Sequence, residues 1–216
     1  MSSYALFLEI RRRRAASGTV RRSCTVSGGG GLGSVVAGPN SLVEECIVRG
    51  SFGAAVVINE GVTIRDCVIS GYAQAGIGTL GGDTVVARNT IDGDGGGACG
   101  LNISGANNRI EANHFSEIAA FGICLTSASM GTSVFLNSFT TVAAPLSDSG
   151  TANDIGPFQT AATGTSPFAN IIVLNLPSPT PPPPTPTATR TSTSTPTTAP
   201  PTATPPPAGT PTPSES

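Results

Sequence analysis

The chain has 216 residues, a formal net charge of −2 at pH 7, eleven arginines and no lysine. Seven of those arginines lie before Cys24 or at Arg190, so the middle is nearly neutral and lacks the basic stripe that nucleic-acid binding needs. No run approaches the roughly 18 apolar residues of a membrane span, and five cysteines without a C-x-x-C pair indicate neither a disulfide framework nor a zinc site.

Taken in chain order, Tyr4-Ala5-Leu6-Phe7-Leu8 is too short for a signal peptide and precedes its arginines. The run Arg11 to Arg14 reads as a solvated end of the fold. Residues 1–17 are expected to form an N-terminal cap, helical, or the remnant of an earlier coil. From Gly18 the chain repeats itself. Aligned four residues before the turn glycines Gly28, Gly50, Gly71 and Gly93, one column reads Cys24, Cys46, Cys67, Asn89, Asn113, Asn137, at spacings of 22, 21, 22, 24 and 24. Two positions later stand Val26, Val48, Ile69, Ile91, Phe115 and Phe139. Three positions before the first column stand Val43, Ile64, Val86, Ile110 and Val134. Gly76-Ile77, Gly100-Leu101 and Gly122-Ile123 recur as a third motif. The first coil is imperfect, with Arg21 in the Ile64 position and Val20 beside it. Ala152-Asn153-Asp154-Ile155 echoes Asn107-Asn108-Arg109-Ile110, and Ile171-Ile172-Val173-Leu174 reads as a last strand.

Short period-two strands that recur every 21 to 24 residues predict a solenoid, because one coil cannot bury its apolar face alone. The leucine-dense pattern of leucine-rich repeats is absent. The pattern I-x-x-N-x-I followed by G-I resembles the right-handed parallel β-helix of the pectin-lyase-like superfamily, over about residues 18 to 156. The expected fold is all-β: a solenoid of about six coils over 18–176, then a Pro/Thr-rich tail over 177–216. The resemblance assigns Asn89, Asn113 and Asn137 to an internal ladder whose amides bond the neighbouring coil. Cys24, Cys46 and Cys67 take the same column in the earlier coils, and their Cα atoms fall within disulfide range. They read as small apolar side chains stacked in reduced form. Cys99 and Cys124 occupy different positions of the third motif and are not expected to pair. Glu44 beside Arg65, and Asp66 beside Arg88, read as cross-strand ion pairs of an exposed face.

Asp92-Gly93-Asp94-Gly95-Gly96-Gly97-Ala98 departs from the repeat by two extra residues, and insertions on a solenoid form its variable loops. The alignment sets Asp92 beside Ser116 and Gly93 beside Glu117, with Asp94 and His114 close by. This loop is the candidate ligand-facing site: Asp92, Asp94, His114 and Glu117. Oxygen ligands there suit a weak Ca²⁺ site, and paired carboxylates suit acid–base work on a sugar. D-G-D-G-G-G is also ordinary turn chemistry. Lyases of the resembled superfamily use several carboxylates with a lysine or arginine base, and its galacturonan hydrolases use an aspartate cluster with a histidine. Neither pattern is present, and no tryptophan offers a stacking platform. No catalytic residue, resident metal or cofactor is assigned.

From Pro177 to Ser216 the chain has 15 prolines and 13 threonines. Such a segment cannot bury enough apolar surface to order itself and reads as a spacer or stalk. The expectation is an extracellular or cell-surface protein, a non-catalytic binding or structural module whose partner is a polysaccharide or cell-surface component. The alternative is a piece of a polysaccharide lyase or uronan epimerase.

Overall fold

A computed structural model describes residues 18–28, 34–51, 53–160 and 166–173. The expectations for residues 1–17, for Leu174 and for the 177–216 tail fall outside these. Among the described residues there is no helix, and so none long and apolar enough to cross a membrane.

The chain winds through about six coils, and every described strand pair is parallel. Each coil contributes up to three strands. The first row is Val20–Arg22, Leu42–Glu44, Thr63–Arg65, Val85–Ala87, Arg109–Glu111, Ser133–Phe135 and Asp154–Ile155, which form a seven-stranded sheet among the described residues. The second row begins with Thr25–Ser27, Ile47–Ser51, Val68–Tyr72 and Thr90–Asp92. The third begins with Val35–Ala37, Ala54–Ile58, Ala75–Thr79 and Cys99–Ala106. In the later coils the long strands His114–Met130 and Ser138–Asp148 run through both rows, which joins them into one sheet.

The predicted second-row column is a register line. Val26 lies opposite Val48, then Ile69, Ile91, Phe115 and Phe139, and Ile172 continues it. All six predicted members are buried. Phe115 and Phe139 stack with ring centroids 4.9 Å apart and planes 7° off parallel, an arrangement that adds to the gain from burial. The first-row column runs Arg21, Val43, Ile64, Val86, Ile110, Val134 and Ile155 in register. Val20 does not replace Arg21 in the core; it faces outward.

The third motif has a packing cause. A Cβ on Gly76 would lie 2.8 Å from Ile91 Cγ2, one on Gly100 2.6 Å from Phe115 Cδ1, and one on Gly122 would overlap the Phe139 ring. Each glycine makes room for the second-row side chain of the next coil. Val, Ile and Phe can therefore grow along the column without a void.

The corners are held in left-handed backbone. One corner stacks Asn40, Gly61, Asp83, Asn107, Gly131 and Ala152, all at positive φ. The next stacks Ser23, Glu45, Asp66, Arg88, Ala112 and Leu136, with φ between 48° and 60°. The first set is mostly glycine, Asn and Asp, which visit this region most readily. The second contains no glycine, so each coil there carries a cost of about 1–2 kcal/mol that its neighbours must offset.

The asparagine column follows that costly corner directly. Asn113 Oδ1 accepts from the Asn89 backbone N–H and side-chain amide, at 3.0 Å each. Asn113 Nδ2 donates to the Val86 carbonyl at 2.9 Å and to Asn137 Oδ1 at 3.0 Å. Asn89 and Asn137 repeat the pattern on their own neighbours. In the cysteine coils, Cys67 Sγ accepts the Cys46 backbone N–H at 3.4 Å, the role that Asn Oδ1 fills elsewhere.

Candidate functional site

The insertion loop folds on itself before it meets anything else. Asp92 lies opposite Ser116 and Ser70, and its Oδ1 accepts the Asp94 backbone N–H at 2.8 Å. Asp94 sits in left-handed backbone, and its Oδ2 is 3.0 Å from where a Cβ would stand on Gly71. Gly93 N–H donates to the Ser116 carbonyl and Gly95 N–H to the Glu117 carbonyl. Glu117 thus meets the loop through its backbone, with its side chain exposed.

His114 is on the adjoining outward column, opposite Thr90 on one side and Ser138 on the other. Its Nδ1 is 2.8 Å from Ser138 Oγ. Its described bond therefore goes to the coil after it, whereas Asp92 belongs to the coil before it. The loop brings Asp92 and Asp94 together and leaves His114 and Glu117 at its margin. Among the described residues no set of three or more His, Cys, Asp or Glu side chains gathers around a common point. Two carboxylates fall well short of the six to eight oxygens of a Ca²⁺ site.

A side chain that sequence reasoning passed over lies beneath this loop. Tyr72 is 3% exposed, and its ring packs where side chains on Gly76 or Gly97 would be. Its hydroxyl has no hydrogen-bond partner among the described residues. Burial pushes the phenol well above its ordinary range, and the Asp92 and Asp94 charges push it further. A phenol in that state is neutral and cannot serve as a base near pH 7.

Four arginines of the solenoid are engaged. Arg22 and Arg65 both bind the buried Glu44 carboxylate, Arg65 through Nε at 2.9 Å and Nη2 at 2.6 Å. Arg88 takes both oxygens of Asp66 at 2.8 and 2.9 Å, and this bond chiefly holds the Asp66 carboxyl below its ordinary range. Arg109 binds Glu111 and lies 5.3 Å over the Phe135 ring.

Arg65, Arg88 and Glu111 of these pairs border a trough of about 530 Å³ on the outer face of the seven-stranded sheet. Leu42, Thr63, Val85 and Ala87 floor it, Asn40 and Gly61 lie along one edge, and Arg65 and Arg88 along the other. It crosses several coils because each three-residue strand ends at a corner that projects beyond it. Arg88 commits Nε and Nη2 to Asp66, which leaves its Nη1 edge for another acceptor.

Residues 14–156 match the family described as right handed beta helix region. The chain belongs to that family. No curated protein matches it in sequence. Membership of the right-handed β-helix family fixes the architecture and leaves the chemistry to the side chains.

Within the β-helix, the cysteines differ from expectation. Disulfides join Cys24 to Cys46 and Cys99 to Cys124, with Cα atoms 4.6 and 6.1 Å apart, and Cys67 is free and buried. Cys99 lies opposite Phe121 and Cys124 opposite Asn102, so register alone separates the second pair by three positions. Gly100 and Leu101 both face the core. Two consecutive inward residues bend the strand, and the flanking outward cysteines of adjacent coils come within reach.

Two further ladder elements were not assigned from the sequence. Asn170 caps the asparagine column: its Oδ1 accepts the Asn137 N–H, and its Nδ2 donates to the Val134 and Gly156 carbonyls. Its separation of 33 residues from Asn137 hides it from a period of 21 to 24. Asn108 and Asn153 form a second line, accepting the backbone N–H of Thr84 at 3.2 Å and of Thr132 at 3.0 Å. The Asn107-Asn108 and Ala152-Asn153 echo was the signal for it.

Proposed function

We propose that this β-helix is an extracellular or cell-surface module that binds a polysaccharide or cell-surface glycan along its outer trough and performs no chemistry on it. The observation that carries this reading is the contrast between the two candidate sites. The trough is open and linear, with an apolar floor against which the C–H face of a sugar can lie, and with hydrogen-bonding groups at both edges. A pyranose residue is close in length to the spacing of adjacent strands, about 4.8 Å, so a glycan chain can run across coils in step with them. The acidic loop has the Asp92 carboxylate folded onto its own backbone, no salt-bridge cation among the described residues, and a neutral phenol beneath. General acid–base catalysis on a glycan needs an acid and a base convergent on one bond.

Two disulfides support the extracellular part of the reading, since such bonds persist in oxidising compartments. The composition of the 177–216 tail, which suits a stalk, points the same way.

The test is retention of the full chain on immobilised neutral and acidic polysaccharides, compared with Val85→Asp and Arg88→Ala variants. Val85 faces outward in the trough floor, so its replacement leaves the core intact. Retention that both variants weaken is the expected result. Equal retention of all three proteins, or none by any, would remove the trough from the account.

A further inference from the structure

Three cysteines occupy successive rungs of one column, and only two of them are bonded. Cys24 and Cys46 share a disulfide; Cys67 lies one coil beyond Cys46, on the side away from Cys24. Strand register fixes this order: Thr25, Ile47 and Val68, the residues immediately after the three cysteines, are consecutive partners. Cys67 Sγ already sits 3.4 Å from the Cys46 backbone nitrogen.

Thiol–disulfide exchange needs an attacking sulfur that approaches a disulfide sulfur opposite its leaving partner. A stack along the solenoid axis supplies that order of atoms. We propose that the disulfide migrates along this stack, so that Cys24 becomes the chain's reactive thiol, a site for covalent modification by a soft electrophile or a disulfide-bonded partner.

The step is an isomerisation and balances without an outside oxidant. Cys67 loses its proton and its sulfur attacks Cys46 Sγ. The Cys46–Cys67 bond forms, the Cys24–Cys46 bond breaks, and its electron pair leaves on Cys24 Sγ, which takes up a proton. The thiol thereby moves from a buried position to one at the first described coil. Cys67 and Cys46 are 2% and 0% exposed, whereas Cys24 is only partly buried. Burial, the largest influence on the Cys67 thiol, raises it above its ordinary range, so the thiolate is scarce. Exchange then belongs in the minutes-to-hours range of uncatalysed disulfide rearrangement.

The stack explains why a buried thiol beside a disulfide need not be inert. Reagents cannot reach Cys67 directly, but trapping of Cys24 draws the exchange toward the Cys46–Cys67 form by mass action.

The experiment uses the full oxidised chain under native conditions, incubated for hours with iodoacetamide, quenched in acid and mapped by mass spectrometry without reduction. The label is expected on Cys24, in molecules that carry a Cys46–Cys67 disulfide. Cys67→Ser should lose that labelling and keep the Cys24–Cys46 bond. Cys24→Ser, after air oxidation, should hold Cys46–Cys67 and no alkylatable thiol even when unfolded. A label chiefly on Cys67, no native label on a chain that yields one thiol when unfolded, or undiminished Cys24 labelling in Cys67→Ser would each overturn the proposal. So would two free thiols in Cys24→Ser.

Discussion

Replacing Asn113 with alanine tests the corner most directly. The side chain is buried and makes four bonds. Two of its partners keep another: Asn89 Nδ2 still reaches the Ile64 carbonyl, and Asn137 Oδ1 still accepts the Asn113 backbone N–H. The Asn89 backbone N–H loses its side-chain acceptor, and the Val86 carbonyl loses a donor. One orphaned buried donor costs about 1–3 kcal/mol, and the cavity left by the missing amide adds roughly 1 kcal/mol. The corner residues Arg88 and Ala112, already in left-handed backbone, lose part of what holds them there. The sum is about 3 kcal/mol, which for a chain of this size lowers Tm by roughly 6–12 °C. Scanning calorimetry of the full chain measures it, with Asn102→Ala, an exposed outward asparagine, as a control expected to stay near wild type. An Asn113→Ala protein that melts with the wild type would refute the reasoning, because the ladder would then contribute nothing at a rung bonded to the coils on both sides.

Ile91→Asn places an amide between Ile69 and Phe115 in the fully buried column, and should cost about 4 kcal/mol or more in urea unfolding; a loss under 1 kcal/mol would mean the column is not the core. Gly122→Ala presses a methyl against the Phe139 ring and within 2.9 Å of the Pro145 carbonyl, for an expected loss of about 1–3 kcal/mol. Gly96→Ala, whose Cβ would meet nothing nearer than 3.5 Å, should fall within about 0.5 kcal/mol of wild type. Equal effects of the two would reject the glycine packing argument. Asp66 has its carboxyl held below the usual value of 3.8, chiefly by Arg88. Its contribution is therefore present above that pH and lost as pH falls further. Asp66→Asn should shallow the acid-side fall of Tm slightly, as suits an exposed pair; an unchanged slope would count against the pairing.

The repeat was legible because its period is carried by residues that have no alternative. Ile69, Ile91 and Phe115 must point inward in every coil, so spacing alone gave their register. The corners were harder to read. Glu45, Asp66, Arg88 and Leu136 share a left-handed backbone but no side-chain chemistry, and composition cannot announce a conformation that neighbouring bonds impose. Cys99 and Cys124 defeat alignment for a related reason, since the bend at Gly100 and Leu101 brings together positions that register keeps apart. At the acidic loop, sequence placed Asp92 beside Ser116 but could not tell which way the carboxylates turn. The decisive bond is local, from the Asp94 N–H to Asp92 Oδ1. Tyr72 was passed over because an isolated tyrosine carries no pattern, and only the stacked glycines above it reveal why its ring is buried. The trough is invisible to any single coil, because it exists only once Leu42, Thr63 and Val85 are stacked.

The measurement that bears most directly on a binding surface without a reaction centre is a joint assay of binding and turnover. The purified chain is incubated with pectate, alginate and related uronides plus Ca²⁺, while absorbance reports unsaturated products and a parallel assay reports new reducing ends. The account predicts retention on a glycan with neither signal above the protein-free control. Turnover that disappears in an Asp92→Ala, Asp94→Ala double variant would contradict it and make the acidic loop the functional site.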